Sequence, residues 1–368
     1  MQARRCNGGA AWRCAAILAG ATVVSACGGG GDDSGGGVTV VPGPTTSAPP
    51  PTPTPSPTPS APPPTAEQLE YQRSSSAVAA NADAAYRAGV TGRGVKIAVV
   101  DTGVTPGLSE FSGRIDSASA DVAGSRGLVD LNGHGTWMSS IVLAARDGRG
   151  MHGVAFDATL LSFNMSTPGD CTPQSCATRL DHIVQAIDTA VAAGARVINF
   201  SAGLDVAYPE IIDAVRRAAA AGVIMVVSGG NKAGAGEPDV LARAMAEAGG
   251  GLVIIAGGHD GTGRAHALTN RAGSGPDSAW YLGALSVDAA VTGRDGAVTS
   301  LSGSSAATAA ISGAVALVAQ ARPNFTGAQI VSLLLNNATD AGAPGRDPVY
   351  GNGNLNLAAV FAALGSGS

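Results

Sequence analysis

From residue 94 onward, short apolar runs alternate with amphipathic stretches. Gly94-Val95-Lys96-Ile97-Ala98-Val99-Val100 is an apolar run after glycine that predicts a buried strand ending at Asp101. Residues 196–201, 223–227 and 252–256 predict further strands of the same kind. Between them, residues 181–193 place Ile183, Ile187 and Val191 at helical spacing and stop at Gly194. Residues 209–221 open on Pro209 and are followed by Gly222, which predicts a second helix. Residues 306–321 predict an Ala/Val/Leu helix halted by Pro323, and residues 66–89 predict one N-terminal helix. Strands alternating with helices predict an α/β fold, a mostly parallel sheet with helices on both faces. Ligands of such sheets bind beyond the carboxyl ends of the strands, where Asp101 and Asn231 fall.

The first 65 residues break this rhythm. Arg4, Arg5 and Arg13 precede a short apolar stretch, and Val24-Ser25-Ala26 leads into Cys27. Small residues directly before a cysteine predict a bacterial lipoprotein signal over residues 1–26, cut before Cys27 and lipidated on that thiol; an ordinary secretory signal is the plainer alternative. Residues 27–65 then read as the anchor cysteine and a disordered Gly/Pro/Ser/Thr linker. Residues 42–64 hold 12 of the 21 prolines and too few large apolar side chains to build a core. At ~3.1 Å per residue, polyproline II of that length spans on the order of 70 Å, a spacer between membrane and domain. Residues 66–368 form the one remaining domain.

Composition narrows the classes. The 368 residues are 45% apolar, 13% charged and 4% aromatic, with formal net charge −5. A negative chain without a long Lys/Arg run argues against nucleic-acid binding. No apolar run reaches ~18 residues, which argues against a polytopic membrane protein. Five cysteines in this length argue against a disulfide-dense scaffold. The low charge persists outside the linker, where residues 28–64 carry only Asp32 and Asp33. It fits a large buried sheet with close-packed helices.

Three residue types needed for nucleophilic acyl transfer fall at element ends. Asp101-Thr102-Gly103 leaves a strand, His134 lies in Asn132-Gly133-His134-Gly135-Thr136, and Ser305 opens the helix after Gly303-Ser304. A serine hydroxyl needs a base, histidine titrates in the useful range, and a carboxylate fixes its tautomer. A serine at a helix N-terminus also has backbone N–H groups near a developing oxyanion. Each piece alone has a plainer reading: a strand-end turn, a structural Gly-His-Gly loop, a helix cap. Asp-Thr-Gly also occurs in aspartic proteases, but the only second match, Asp33-Ser34-Gly35, lies in the glycine-rich linker.

In that order and with those neighbours, the chain resembles the subtilisin-like serine proteases (subtilases, peptidase family S8). Asp101-Thr102-Gly103, Gly133-His134-Gly135-Thr136 and Gly303-Ser304-Ser305 match the catalytic blocks. Gly150-Met151-His152-Gly153-Val154-Ala155, Asn199-Phe200-Ser201-Ala202-Gly203, Val226-Val227-Ser228-Gly229-Gly230-Asn231 and Tyr350-Gly351-Asn352-Gly353-Asn354-Leu355-Asn356 extend the likeness from about residue 66 to the C-terminus. The flavour is closest to autotransporter-type bacterial subtilases, with no barrel domain expected after Ser368 and no pro-segment between linker and Gly94.

The resemblance implies a three-layer subtilisin-like fold and a serine endopeptidase acting on extended protein or peptide segments. Ser305 would be nucleophile, His134 general base and acid, and Asp101 its orienting carboxylate. Asn231 would complete the oxyanion hole. Ser201, Ala202, Gly203, Ser228, Gly229 and Gly230 would line the substrate site, and the small size of Ala202 and Ser228-Gly229-Gly230 suggests a roomy or apolar first specificity pocket. The family's usual Thr before the nucleophile is Ser304 here, and Ala309 and Ala310 replace its usual Pro and His. The competing reading is a catalytically inactive, peptide-binding lipoprotein of the same family.

Residues 168–175, which include Cys171 and end just before Cys176, read as a loop, and an extracytoplasmic address permits a disulfide between the two cysteines. No His/Cys spacing suggests a metal site, and no cofactor is expected. Structural calcium is left open without assigned ligands. A monomer, with no nucleic-acid partner, held by lipid in the cell envelope is expected. Gly28 after Cys27 favours the outer membrane.

Overall fold

The computed structural model describes residues 10–11, 63–124 and 126–365. The signal segment, Cys27 and the linker therefore lie outside the described residues, save Ala10–Ala11 and residues 63–65. Seven parallel strands form the central sheet: β1 Lys96–Asp101, β2 Ala120–Asp121, β3 Thr159–Asn164, β4 Val197–Phe200, β5 Ile224–Ser228, β6 Val253–His259 and β7 Tyr281–Leu285. Their spatial order is β7-β6-β5-β4-β1-β3-β2. The chain runs from β1 to the edge strand β2, comes back to β3 between them, then crosses to β4 on the other side of β1 and builds outward to β7. The switch point between β1 and β4 opens the crevice in which α/β proteins bind ligands.

Strand alternation sorts side chains onto two cores. Ile97, Val99, Leu160, Val197 and Ile224 pack on one face with helices His134–Leu143 and Ser304–Ala321. Ala98, Val100, Leu161, Ile198 and Met225 pack on the other with helices Leu180–Ala192, Pro209–Ala220 and Val240–Ala248. Both faces being covered explains why the strands read as continuous apolar runs. This is the three-layer α/β arrangement expected from the sequence. At ~1.5–3 kcal/mol per fully buried large aliphatic side chain, the two cores supply the main folding drive.

Helix Ser304–Ala321 is 18 residues long and, on average, apolar enough to cross a membrane by length and composition, although serines, a threonine and a glutamine interrupt its apolar run. It is 89% buried inside the protein, so it serves as the core helix. Residues 66–89 form three helices, Ala66–Arg73, Ser75–Ala79 and Asp83–Arg87, not one. Ser74 breaks the first junction by donating its hydroxyl to the Glu70 carbonyl at 2.8 Å, and Asn81 adopts φ 55° before the third. The expected loop around residues 168–175 is a hairpin, Ser166–Cys171 against Cys176–Thr178, closed by the Cys171–Cys176 disulfide.

Candidate catalytic site

β1 delivers Asp101 to the crevice, and helix His134–Leu143 begins on His134 directly beside it. His134 Nδ1 lies 2.8 Å from Asp101 Oδ1 and 2.9 Å from Oδ2. Asp101 is fully buried and His134 is 2% exposed. The Thr102 backbone N–H donates to Asp101 Oδ1 at 2.8 Å, fixing the carboxylate from the strand side. A carboxylate so placed holds the proton on Nδ1 and leaves Nε2 as the basic nitrogen. Burial pushes the imidazole pKa down, but the Asp101 charge and hydrogen bond, with the Asp130 charge behind them, outweigh it and raise it above the ordinary value. The approach requires glycine at 135, where a Cβ would run into the Gly103 carbonyl.

Asp130, which sequence reasoning did not single out, organises this loop. It is 1% exposed. Its Oδ1 accepts from Thr102 Oγ1 at 2.8 Å, Asn132 N at 3.0 Å and Gly133 N at 2.7 Å. Its Oδ2 accepts from Thr136 N at 2.9 Å and Thr136 Oγ1 at 2.7 Å. Burial still pushes the Asp130 pKa up against these donors. The readable signal was an aspartate two residues before Asn-Gly, the arrangement of an Asx turn. Asn132 Nδ2 also donates to the Thr172 carbonyl at 2.9 Å, joining the histidine loop to the disulfide hairpin.

Ser305 is the second residue of the core helix and is 9% exposed. Its Oγ donates to the Ser201 carbonyl at 3.3 Å, and Ser201 Oγ donates to the Ser305 carbonyl at 3.4 Å. Asn199 Nδ2 holds Ser201 Oγ at 2.9 Å, and Ser312 Oγ donates to Asn199 Oδ1 at 3.1 Å. The nucleophile candidate is thus pinned to the end of β4. Asn231 accepts through Oδ1 from Ser304 N at 2.8 Å and Ser304 Oγ at 3.0 Å. With that oxygen committed, the Nδ2 group of this exposed side chain is the donor it can offer a ligand. Ser304, in place of threonine, keeps the hydroxyl that makes this bond and also meets Ser228 Oγ at 2.7 Å. Gly303, at φ 149°, passes close to the Asn231 amide, where a Cβ would sit 3.4 Å from Nδ2. Ala309 and Ala310 are buried in the core helix.

The remaining predicted substrate residues lie at the ends of the same strands, Ser201–Gly203 after β4 and Ser228–Gly230 at the end of β5. Ser201, Ala202 and Ser228 are buried, and the Ser228 hydroxyl is committed to Ser304. Beside Gly203 and Gly230 lies the Asp239 carboxylate, with the Asn270 amide next to it. Among the described residues, no group of three His, Cys, Asp or Glu side chains could hold a metal ion.

The chain as a whole is similar to known proteins in sequence and fold. Residues 92–353 match the subtilase family of peptidase S8. Subtilisin Savinase from Lederbergia lenta is 32% identical over 285 residues, covering 76% of this chain and 95% of that protein. An alkaline protease from Alkalihalobacillus alcalophilus is 32% identical over the same length, with 67% of its own sequence covered. Among solved structures, the MycP3 protease from the type VII (ESX-3) secretion system superposes with a TM-score of 0.65 at 24% identity, over 78% of this chain and 88% of that one. That likeness is one of fold.

Proposed function

The chain belongs to the subtilase family of serine proteases, and from that premise we propose that it is an endopeptidase working through Ser305, His134 and Asp101. The observation that carries this reading is the buried Asp101–His134 pair at 2.8 Å, with Ser305 in the first turn of the core helix, bonded to the end of the neighbouring strand β4. As His134 Nε2 takes the Ser305 proton, Oγ forms a bond to the scissile carbonyl carbon. The resulting oxyanion would accept from Asn231 Nδ2 and the Ser305 backbone N–H, donors of the kind that stabilise charge as it develops. Collapse expels the amine, which takes the proton from His134 as it leaves. Water repeats the sequence in reverse and frees the acid. An extended substrate would lie along Ser201–Gly203 as an added strand.

The test is covalent labelling by a fluorophosphonate. Wild type is expected to label and Ser305→Ala not to; equal labelling of the two rejects the reading. In the same proposal, Cys27 carries lipid and residues 28–65 hold the protease off an outer membrane. Incorporation of a palmitate analogue that is lost in Cys27→Ala supports this, and incorporation that survives the substitution rejects it.

A further inference from the structure

We propose that Asp239 receives the side chain on the acyl side of the scissile bond and selects lysine or arginine there. The inference rests on the catalytic reading above and adds the substrate class. If Ser305 attacks while Asn231 holds the oxyanion, the residue that owns the attacked carbonyl lies between two backbone segments. One is Ser201–Gly203, whose first carbonyl accepts from Ser305 Oγ at 3.3 Å. The other is Gly229-Gly230, which runs directly into Asn231. Its side chain descends between them.

Both walls are glycine at this point, and both face one carboxylate. A Cβ on Gly203 would run into Asp239 Oδ2, and a Cβ on Gly230 would come within 2.6 Å of Asp239 Oδ1 and Cγ. Asp239 is 6% exposed, and its backbone N–H donates to the Gly229 carbonyl at 2.8 Å. The carboxylate is therefore part of the wall, not a surface group that swings in. Asn270 Nδ2 donates to Oδ1 at 3.1 Å.

A carboxylate this far from water needs a cation. Here it comes from Lys232, whose Nζ stands 3.0 Å from Oδ1 and which also pairs with Asp205. The Lys232 side chain is 48% exposed and that of Asp205 is 67% exposed, so this cation reaches the buried oxygen from the solvent side. Two carboxylates and one ammonium leave the cluster one formal negative charge. A substrate lysine or arginine neutralises it, an apolar side chain leaves it, and a glutamate doubles it. Lys232 thus marks where the substrate's cation docks.

Fluorogenic peptides differing only in that residue (Arg, Lys, Leu, Ala, Glu), with active sites counted by fluorophosphonate, test the assignment. Wild type is expected to favour Arg and Lys over Leu by about tenfold or more in kcat/KM, with Glu poorest. Asp239→Asn should cut the Arg-to-Leu ratio by at least about tenfold, and Lys232→Ala should raise it severalfold. A wild-type preference for Leu or Ala, or a ratio unmoved by both substitutions, overturns the proposal. Should Asp239→Asn not fold, Lys232→Ala and Asp205→Asn decide: a ratio unmoved by both counts against it. Benzamidine binding to Ser305→Ala, read as a thermal shift, separates the two claims. A shift that Lys232→Ala enlarges supports the pocket even in protein that fails to label, and no shift counts against it.

Discussion

Helix His134–Leu143 is entered and left by two loops, each fastened by a buried carboxylate, and the two fastenings differ in kind. The entering loop is tied by Asp130, whose donors come mostly from Asn132, Gly133 and Thr136 in its own turn. The leaving loop is tied by Glu70, on the N-terminal helix Ala66–Arg73. Glu70 accepts from Asp147 N at 3.1 Å and Gly148 N at 2.9 Å. Arg73 Nε donates to the Gly150 carbonyl at 2.6 Å, Ser74 Oγ accepts from His152 N at 2.8 Å, and Tyr71 stacks on the His152 ring at 5.8 Å. In both fastenings each carboxylate oxygen has a donor, but the first is local. The second reaches across more than seventy residues and has an electrostatic cost beside it. Glu110 stands near, pushed up to about 7 by burial and then by the Asp147 and Glu70 charges. Its Oε2 is buried without a hydrogen-bond partner. The entering loop therefore fastens the turn that presents His134, and the leaving loop fastens the N-terminal helix to the domain.

The largest effect expected lies on the catalytic side. Asp101→Asn keeps the shape but loses the charge that fixes the His134 tautomer, and kcat at pH 7 should fall by about 10⁴-fold. In wild type the acid limb of kcat/KM should lie above the ordinary histidine value of 6.5, because His134 acts as base only when neutral and its pKa is raised. Asp130→Asn should shift that limb downward, since the Asp130 charge is among the groups that raise it. A limb that stays put would remove Asp130 from the alignment of His134.

Substituting the two fastenings themselves ranks next. Asp130→Ala orphans buried backbone donors around the histidine and should cost about 2–4 kcal/mol of stability. Its kcat per titrated active site should fall as well, by about tenfold or more, because the imidazole is no longer held to a near-attack geometry. Glu70→Ala should cost about 1–3 kcal/mol in chemical denaturation while kcat per active site stays within about twofold. Equal damage to kcat from the two would break the division of labour.

The same contrast explains what could be read from the chain. Asp101, His134 and Ser305 were legible because each stands at an element end in a short glycine-bearing motif, and the strands feeding them are unbroken apolar runs. β3 was harder, since Thr159–Asn164 interrupts its apolar run with Ser162 and Asn164, both fully buried by neighbouring strands and loops. β7 is only Tyr281–Leu285 and carries a glycine. The break at Ser74 has a partner outside its own helix, since the hydroxyl that bonds back to the Glu70 carbonyl also accepts from His152 N. Asp239 carried no motif at all. Its place beside Gly203 and Gly230 follows from the adjacency of β4 and β5, which no local window contains.

The smallest effect concerns the strain beside the leaving loop. An unfolded Glu110 loses its proton near 4.5, whereas the folded one holds it to about 7. Between those values the unfolded chain binds fewer protons than the native one, so stability falls as pH rises through the interval. Its full contribution is present below about 4.5 and gone above about 7. Glu110→Gln keeps the shape without the charge and should flatten this slope. The gain is about 1–2 kcal/mol at pH 8, discounted for the partial exposure of the side chain, with little change at pH 4. Denaturant melts at the two pH values measure it. A variant as pH-dependent as wild type would place the unfavourable charge elsewhere, and a change in its kcat would mean that the two loops are coupled through the helix they share.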